Sequence, residues 1–193
     1  MNHYAATELL LIRHAPALSA GRLCGRTDVG ADCSDTARIT ALKNAIGNVD
    51  HILSSPAERC RQTAAALWPG LPEPETDSAF WEQDFGSWEG QNYGDLPDLG
   101  TLGPDELATH RPPGGESFAD LCARVAPALV GVAKRPGRIA VVAHAGVVRG
   151  ALALAIGSVP VALSFEVAPM SLTRIRALPG GDWSVIAVNW TPD

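Results

Sequence analysis

The stretch that decides the fold is "LLLIRHAP", Leu9 to Pro16. Four apolar residues run directly into Arg13 and His14, and an Ala-Pro pair then breaks the pattern. A short apolar run with this boundary predicts a buried strand over Glu8–Arg13. We therefore expect the strand to place an arginine and a histidine at its carboxyl end, where open α/β sheets bind ligands.

Two further predicted strands end in the same way. "VDHILS", Val49–Ser54, leads into a predicted helix over Ala57–Leu67 that carries Arg59. "RIAVVA", Arg138–Ala143, runs into His144 and then into a predicted helix over Val147–Ile156. Parallel strands share one ligand-binding edge, so two arginines and two histidines should meet there. Such a cluster would repel itself unless it holds an anion.

The rest of the chain alternates between strand and helix patterns. Apolar spacing predicts further helices at Thr36–Ile46 and Ser117–Ala133, and further strands at Glu75–Phe80, Leu163–Val167, Ser171–Ala177 and Trp183–Asn189. We expect Ser117 to cap the helix that follows it. The predicted class is α/β, a three-layer α/β/α sandwich on a mostly parallel mixed sheet. One domain should span residues 1–193, with a lid-like excursion at about 81–115 that holds one short helix near Pro104–Thr109.

Composition excludes several classes of protein. The 193 residues carry a net charge of -6, so a basic nucleic-acid-binding face is not expected. We expect no membrane partner, because the apolar run Ala151–Ile156 is far too short for a span. The four cysteines form no C-x-x-C pair and the N-terminus has no leader pattern, which predicts a cytoplasmic protein with reduced thiols. His3, His51 and His110 lack ligand spacing, so we predict no metal and no cofactor.

Five ordered blocks carry a family resemblance. They are "LIRHAP", "SSPAERCRQTA", "WEQDFGSWEG", "PPGGESF" and "VVAHAGVVR", and they lie between residues 9 and 149. This series resembles the histidine phosphatase superfamily, whose fold is the phosphoglycerate mutase-like fold. Departures from the usual pattern occur at Ala15, where the family generally has glycine, and at Pro16.

The resemblance implies a role for each matching residue. His14 would be the nucleophile that forms a phosphohistidine, and Glu82 would be the proton donor and later the base. Arg13, Arg59 and His144 would hold the phosphoryl oxygens, with Ala145 beside them and Arg26 reaching the phosphate or the rest of the substrate. Glu89 is the rival acid.

Physical chemistry agrees with these implied roles. An imidazole must be neutral to attack, and nearby arginines should lower its pKa. Arginine forks suit phosphate oxygens, and an alkoxide leaving group needs a proton from an acid.

The implied partner is a small-molecule phosphate ester. The segment 83–116 holds only one arginine and no lysine, which disfavours a mutase-type phosphotransferase and favours a larger, less charged leaving group. Trp88 or Tyr93 could stack on a base. The chain most resembles the α-ribazole phosphatase branch, which removes the 5′-phosphate of α-ribazole phosphate in cobalamin lower-ligand assembly.

Several alternatives stay open. They are a broad-specificity sugar-phosphate or nucleotide phosphatase, a mutase, a protein phosphohistidine phosphatase, and a non-catalytic phospho-ligand-binding protein. The oligomeric state, monomer or homodimer, is also open.

Overall fold

The fold is built on one six-stranded mixed sheet. The structure, a computed structural model, describes residues 6–192. Its strands are β1 (Thr7–Arg13), β2 (His51–Ser54), β3 (Glu75–Thr76), β4 (Arg138–Ala143), β5 (Leu172–Ala177) and β6 (Trp183–Trp190). Their order across the sheet is β3-β2-β4-β1-β5-β6. Strands β1 to β4 are parallel, β5 pairs antiparallel with β1, and β6 pairs antiparallel with β5 at the edge of the sheet.

The apolar run of β1 is buried on both faces of the sheet. Leu9 and Leu11 point into one core, and Leu10 and Ile12 point into the other; all four are fully buried. A central parallel strand covered by helices on both sides needs such a continuous apolar sequence. The predicted mixed α/β sandwich is confirmed.

Helices cover both faces. They are α1 (Thr36–Ile46), α2 (Glu58–Leu67), α3 (Pro104–Thr109), α4 (Phe118–Val132), α5 (Ala145–Ile156) and α6 (Val159–Ala162). The first two pack on the Leu10 side, and α4 and α5 pack on the Leu9 side. Ser117 caps α4 as predicted, because its side chain accepts the N–H of Asp120, and the carboxylate of Asp120 in turn accepts the backbone N–H of Ser117.

Three sequence predictions need correction. Leu163–Val167 is not a strand: Pro160 lies in the first turn of α6, and in the turn that follows, the N–H of Ser164 donates to the carbonyl of Val161. The strand predicted over Glu75–Phe80 stops at Thr76, because the Asp77 side chain accepts the N–H of Ala79 and starts a 3-10 turn. Helix α5 begins at Ala145, two residues earlier than predicted.

The excursion at 81–115 contains α3, where a helix was predicted, and two short 3-10 turns at Gly86–Trp88 and Tyr93–Asp95. Its role as a lid and the single-domain extent stay predictions. Within residues 6–192, no helix combines the length and the hydropathy that crossing a bilayer requires.

Candidate active site

The site forms where three neighbouring strands end. In the sheet β4 lies between β1 and β2, and Arg13 is in register with Ala143 while Ser54 is in register with Val142. The residues that follow these strands, including His14 and His144, therefore emerge at the same edge. Arg13, His14, Arg59, Glu82 and Ala145 line a cleft of about 270 Å³ at this edge.

Both nitrogens of the His14 ring are engaged. Nδ1–H donates to the carbonyl of its neighbour Ala15 at 2.6 Å, and Nε of Arg59 donates to Nε2 at 3.3 Å. A carbonyl can only accept, so the proton is on Nδ1 and the lone pair is on Nε2. This tautomer presents Nε2 as a nucleophile beside a guanidinium.

Burial and positive charge keep both site histidines neutral. The pKa of His14 falls from 6.5 to about 3 because the ring is buried and the charges of Arg59 and Arg13 oppose protonation. The pKa of His144 is also lowered well below 6.5, first by burial and then by Arg59. The sequence prediction that arginines would lower the pKa of His14 is confirmed.

We expect this neutrality to make stability depend on pH. Below pH 6.5 the unfolded chain protonates His14 while the folded protein does not until about pH 3, so the free energy of unfolding falls as the pH falls through that window. One such histidine contributes a slope of about 1.4 kcal/mol per pH unit. Urea unfolding of His14→Ala should show a slope smaller by that amount, and an unchanged slope would contradict the buried neutral state.

The two arginines hold their positions through backbone carbonyls. Arg59 is 1% exposed and donates from Nη2 to the carbonyl of Gly25 at 2.7 Å and from Nη1 to that of Thr27 at 3.2 Å. Arg13 donates from Nη1 to the carbonyl of Val167 at 2.6 Å, and its buried Nε has no partner among the described residues. These contacts hold two guanidinium groups beside His14 and leave their positive charges unpaired by any of these carbonyl partners.

His144 lies beside His14. It is fully buried, its ring centroid is 5.1 Å from that of His14, and Trp81 is nearly parallel to it at 6.5 Å. Its position as the first residue after β4 and the N-cap of α5 accounts for its orientation toward the site. The structure thus brings His144 together with Arg13, His14 and Arg59.

Glu82 faces this cluster from the excursion. One carboxylate oxygen accepts the N–H of Gln83 at 3.0 Å, and the other accepts the N–H of Gly146 in the first turn of α5 at 3.3 Å. A Cβ at position 146 would collide with the Glu82 carboxylate, so glycine is required for this close approach. A single carboxylic group is thereby placed at the rim of a cationic pocket.

Two histidines, two arginines and one acid in this arrangement have the chemistry to act as a nucleophile, an anion-binding site and a proton donor. A sequence profile of the histidine phosphatase superfamily (branch 1) matches residues 9–191. The chain belongs to that superfamily. This membership is what the resemblance of the five blocks implied.

Known proteins similar to this member of the histidine phosphatase superfamily share both sequence and fold. The "Bifunctional protein Rv2228c" of Mycobacterium tuberculosis is 28% identical over 200 aligned positions, which cover 96% of this chain and 54% of that protein. The chain thus spans about half the length of the curated relatives it matches.

Solved structures carry the comparison further. Mycobacterial glucosyl-3-phosphoglycerate phosphatase Rv2419c with VO3 superposes with a TM-score of 0.82 at 25% identity, over 95% of this chain and 99% of that one. An Escherichia coli candidate α-ribazole-5′-P phosphatase superposes with a TM-score of 0.79 at 22% identity, over 95% of this chain and 96% of that one.

Glu89, the alternative candidate for the acid, has its carboxylate hydrogen-bonded to the backbone of neighbouring loops. Its carboxylate accepts backbone N–H groups of four residues at 2.9–3.2 Å: Gly25, Arg26, Thr27 and Phe85. Burial raises its pKa, but the hydrogen bonds from Thr27 and the backbone outweigh burial and hold the pKa below its ordinary value. Glu89 joins two loops and does not line the cleft.

Arg26 is placed differently from the other predicted binding residues. Its guanidinium lies 3.6 Å from a carboxylate oxygen of Glu116 and 5.7 Å from the ring centroid of Trp81. The cleft lining, as the described residues form it, does not include Arg26. A substrate contact by Arg26 stays a prediction.

Two arginines that the sequence analysis missed do line the cleft. Arg149 follows Ala145 by one helical turn, so it projects from α5 on the same side, and its Nε donates to the carbonyl of Phe165. The four-residue spacing between Ala145 and Arg149 could therefore have indicated the position of Arg149 from the sequence. Arg22 lies in an irregular segment that bridges to Asn92, and no sequence periodicity indicated its position.

The departures at positions 15 and 16 are accommodated locally. The N–H of Ala15 donates to Oγ1 of Thr63 at 2.9 Å, so this group is used within the protein. Pro16 accepts the N–H of Asp32 through its carbonyl. Across residues 6–192, no group of three or more His, Cys, Asp or Glu side chains is arranged to hold a metal ion, and the metal-free mechanism stays a prediction.

Proposed function

We propose that this phosphatase hydrolyses a small-molecule phosphate ester through a phosphohistidine on Nε2 of His14. The observation that supports this most strongly is the ring of His14, whose Nδ1–H is bound to a carbonyl while Nε2 faces Arg59 in a cationic cleft. A neutral imidazole in this tautomer is a competent nucleophile at neutral pH.

In the first step, Nε2 of His14 attacks phosphorus in line with the leaving oxygen. The N–P bond forms as the ester O–P bond breaks, and Glu82 gives its proton to the departing alcohol. Arg13, Arg59 and His144 stabilise the equatorial oxygens, which carry the charge of a loose transition state. The step leaves a phosphohistidine and an ionised Glu82.

In the second step, the ionised Glu82 takes a proton from water. The oxygen of that water attacks phosphorus, the N–P bond breaks, and its electron pair returns to Nε2 of His14. The products are inorganic phosphate and the protonated acid, so the cycle closes without a metal or cofactor. This reversal of role between acid and base is the usual consequence of a two-step displacement.

The substrate that we propose is α-ribazole 5′-phosphate, the phosphate ester hydrolysed in cobalamin lower-ligand assembly. Tyr93 supports this proposal because it lines the cleft and is 61% exposed, which leaves its ring free to stack on an aromatic base. Trp88 is already stacked on His110 at 5.6 Å. The fold shared with the Escherichia coli candidate α-ribazole-5′-P phosphatase is consistent with it. The cytoplasmic location stays a prediction.

A second substrate class, a phosphate ester that also carries a carboxylate, is favoured by Arg22 and Arg149. These cations lie outside segment 83–116, so the composition of that segment no longer disfavours a second anionic group on the substrate. Glucosyl-3-phosphoglycerate phosphatase, by its name, acts on an ester of this class.

A substrate panel without added metal tests these proposals. It would compare kcat/KM for α-ribazole 5′-phosphate, a nucleoside 5′-monophosphate, a sugar phosphate, 3-phosphoglycerate and p-nitrophenyl phosphate. A preference for α-ribazole phosphate supports the first class, and a preference for 3-phosphoglycerate supports the second. A flat profile indicates broad specificity, phosphoryl transfer between glycerates indicates a mutase, and binding without turnover indicates a phospho-ligand-binding protein.

Replacing Arg149 with methionine tests the second class directly. We expect kcat/KM for 3-phosphoglycerate to fall by about 10- to 100-fold, because a charge-assisted hydrogen bond is lost, while p-nitrophenyl phosphate changes little. Arg176→Met, on an exposed position of β5, is the matched control. Equal losses on both esters would show that Arg149 serves the phosphoryl group or the structure instead.

A further inference from the structure

A buried serine contacts the second site histidine. Oγ of Ser55 lies 2.9 Å from Nε2 of His144, and both residues are fully buried. Oγ of Ser55 also accepts the backbone N–H of Ala57 at 3.3 Å. This N–H uses one lone pair of the oxygen, and the hydroxyl group can donate its proton to Nε2 of His144.

Cys60 is the other polar neighbour of the ring. Its Sγ lies 3.5 Å from Nε2 and 3.8 Å from Nδ1 of His144. Burial raises the pKa of the Cys60 thiol, so it stays protonated and offers only weak hydrogen bonding. The short contact with Ser55 is therefore the stronger influence on where the His144 proton lies.

His144 carries a single proton because burial and the surrounding arginines keep it neutral. When Nε2 accepts from Ser55, that proton must be on Nδ1. His144 is fully buried and is not part of the cleft lining that the described residues form, but its ring centroid lies 5.1 Å from that of His14, and Ala145 and Gly146, which follow it in α5, line the cleft.

We propose that Ser55 is a positioning residue that fixes His144 as the Nδ1–H tautomer, so that this neutral imidazole donates from Nδ1 to a phosphoryl oxygen. This inference rests on the proposed phosphatase mechanism, and it adds the reason why Nδ1 of His144 carries the proton that is donated. A tautomer chosen by a second hydrogen bond is a common way to orient a histidine in a site.

The tautomer itself is measured on the wild-type protein. Nitrogen-15 NMR of histidine-labelled protein distinguishes a protonated from an unprotonated Nδ1 at His144, with His144→Gln used to assign the signals. We expect protonated Nδ1 and unprotonated Nε2 at neutral pH. The reverse pattern in the wild-type protein would overturn the inference, and this readout requires neither turnover nor a folded Ser55 variant.

Ser55→Ala then tests the consequence for catalysis. We expect kcat to fall by about 10- to 100-fold with little change in KM, since the hydrogen bond matters most in the transition state, and the His144 signals to shift toward a mixture of tautomers. Ser55→Thr, which keeps the hydroxyl, should restore much of the activity. Ser54→Ala is the matched control, because Ser54 is equally buried but donates to the carbonyl of Ser55.

The outcomes separate this inference from the proposed function. An active Ser55→Ala enzyme with wild-type kcat and wild-type His144 signals would overturn the inference and leave the phosphatase mechanism intact. Equal losses in Ser55→Ala and Ser54→Ala would show a packing effect and also overturn it. An inactive wild-type protein would contradict the proposed function, while the tautomer could still be read.

Discussion

Replacing His14 with alanine is expected to abolish turnover of every phosphate ester. The variant loses the imidazole whose Nε2 lone pair faces Arg59, and loss of a nucleophile can lower kcat by about 10⁵- to 10⁶-fold. The measurement is steady-state hydrolysis of p-nitrophenyl phosphate without metal. Binding of vanadate or phosphate should survive, because Arg13 and Arg59 remain.

His51→Ala is the matched control for this loss. His51 is exposed at the start of β2, at the opposite end of the strand from Ser54 and the site, so its removal should leave kcat unchanged within about twofold. Residual activity of His14→Ala above one hundredth of wild type would contradict the assignment of His14 as the nucleophile.

Replacing Glu82 with glutamine is expected to have an effect that depends on the leaving group. An alkyl phosphate needs a proton on its departing oxygen, so hydrolysis of a sugar phosphate should slow by about 10²- to 10⁴-fold. p-Nitrophenolate departs without protonation, so its release in the first step should be nearly normal. Rapid mixing with p-nitrophenyl phosphate should then show a burst followed by slow turnover, because Glu82 is also the base for the second step.

Glu89→Gln distinguishes the two acids. Its carboxylate joins two loops through backbone N–H groups, so this variant should lose about 1–3 kcal/mol of unfolding free energy. Any loss of activity should be similar for both leaving groups. A leaving-group dependence in Glu89→Gln and none in Glu82→Gln would transfer the acid role to Glu89.

Much of the site could be predicted because the polar residues follow the strand ends directly. The run before Arg13 and His14 fixes β1, and parallel pairing with β4 brings His144 to the same edge. Glu82 lies on an irregular segment, and only its block resemblance indicated it. The structure shows how Glu82 is held at the site: its carboxylate accepts the N–H of Gly146, and a side chain at position 146 would collide with that carboxylate.

The remaining features depend on contacts between segments distant in sequence. Residues 163–167 have an apolar pattern that fits a strand, but here they form a partly exposed turn and loop in which the carbonyls of Phe165 and Val167 accept hydrogen bonds from Arg149 and Arg13. Arg22 reaches the cleft through a loop that Glu89 ties down. Sequence periodicity describes one element at a time and does not report such pairings.

The most direct test of the central claim is to trap the phosphorylated enzyme. Glu82→Gln mixed with p-nitrophenyl phosphate and quenched in alkali should yield a phosphate that is stable to base and labile to acid, on a peptide that contains His14. The double variant His14→Ala/Glu82→Gln should yield none. Absence of a phosphoenzyme during the burst, or label on any residue other than His14, would contradict the phosphohistidine mechanism.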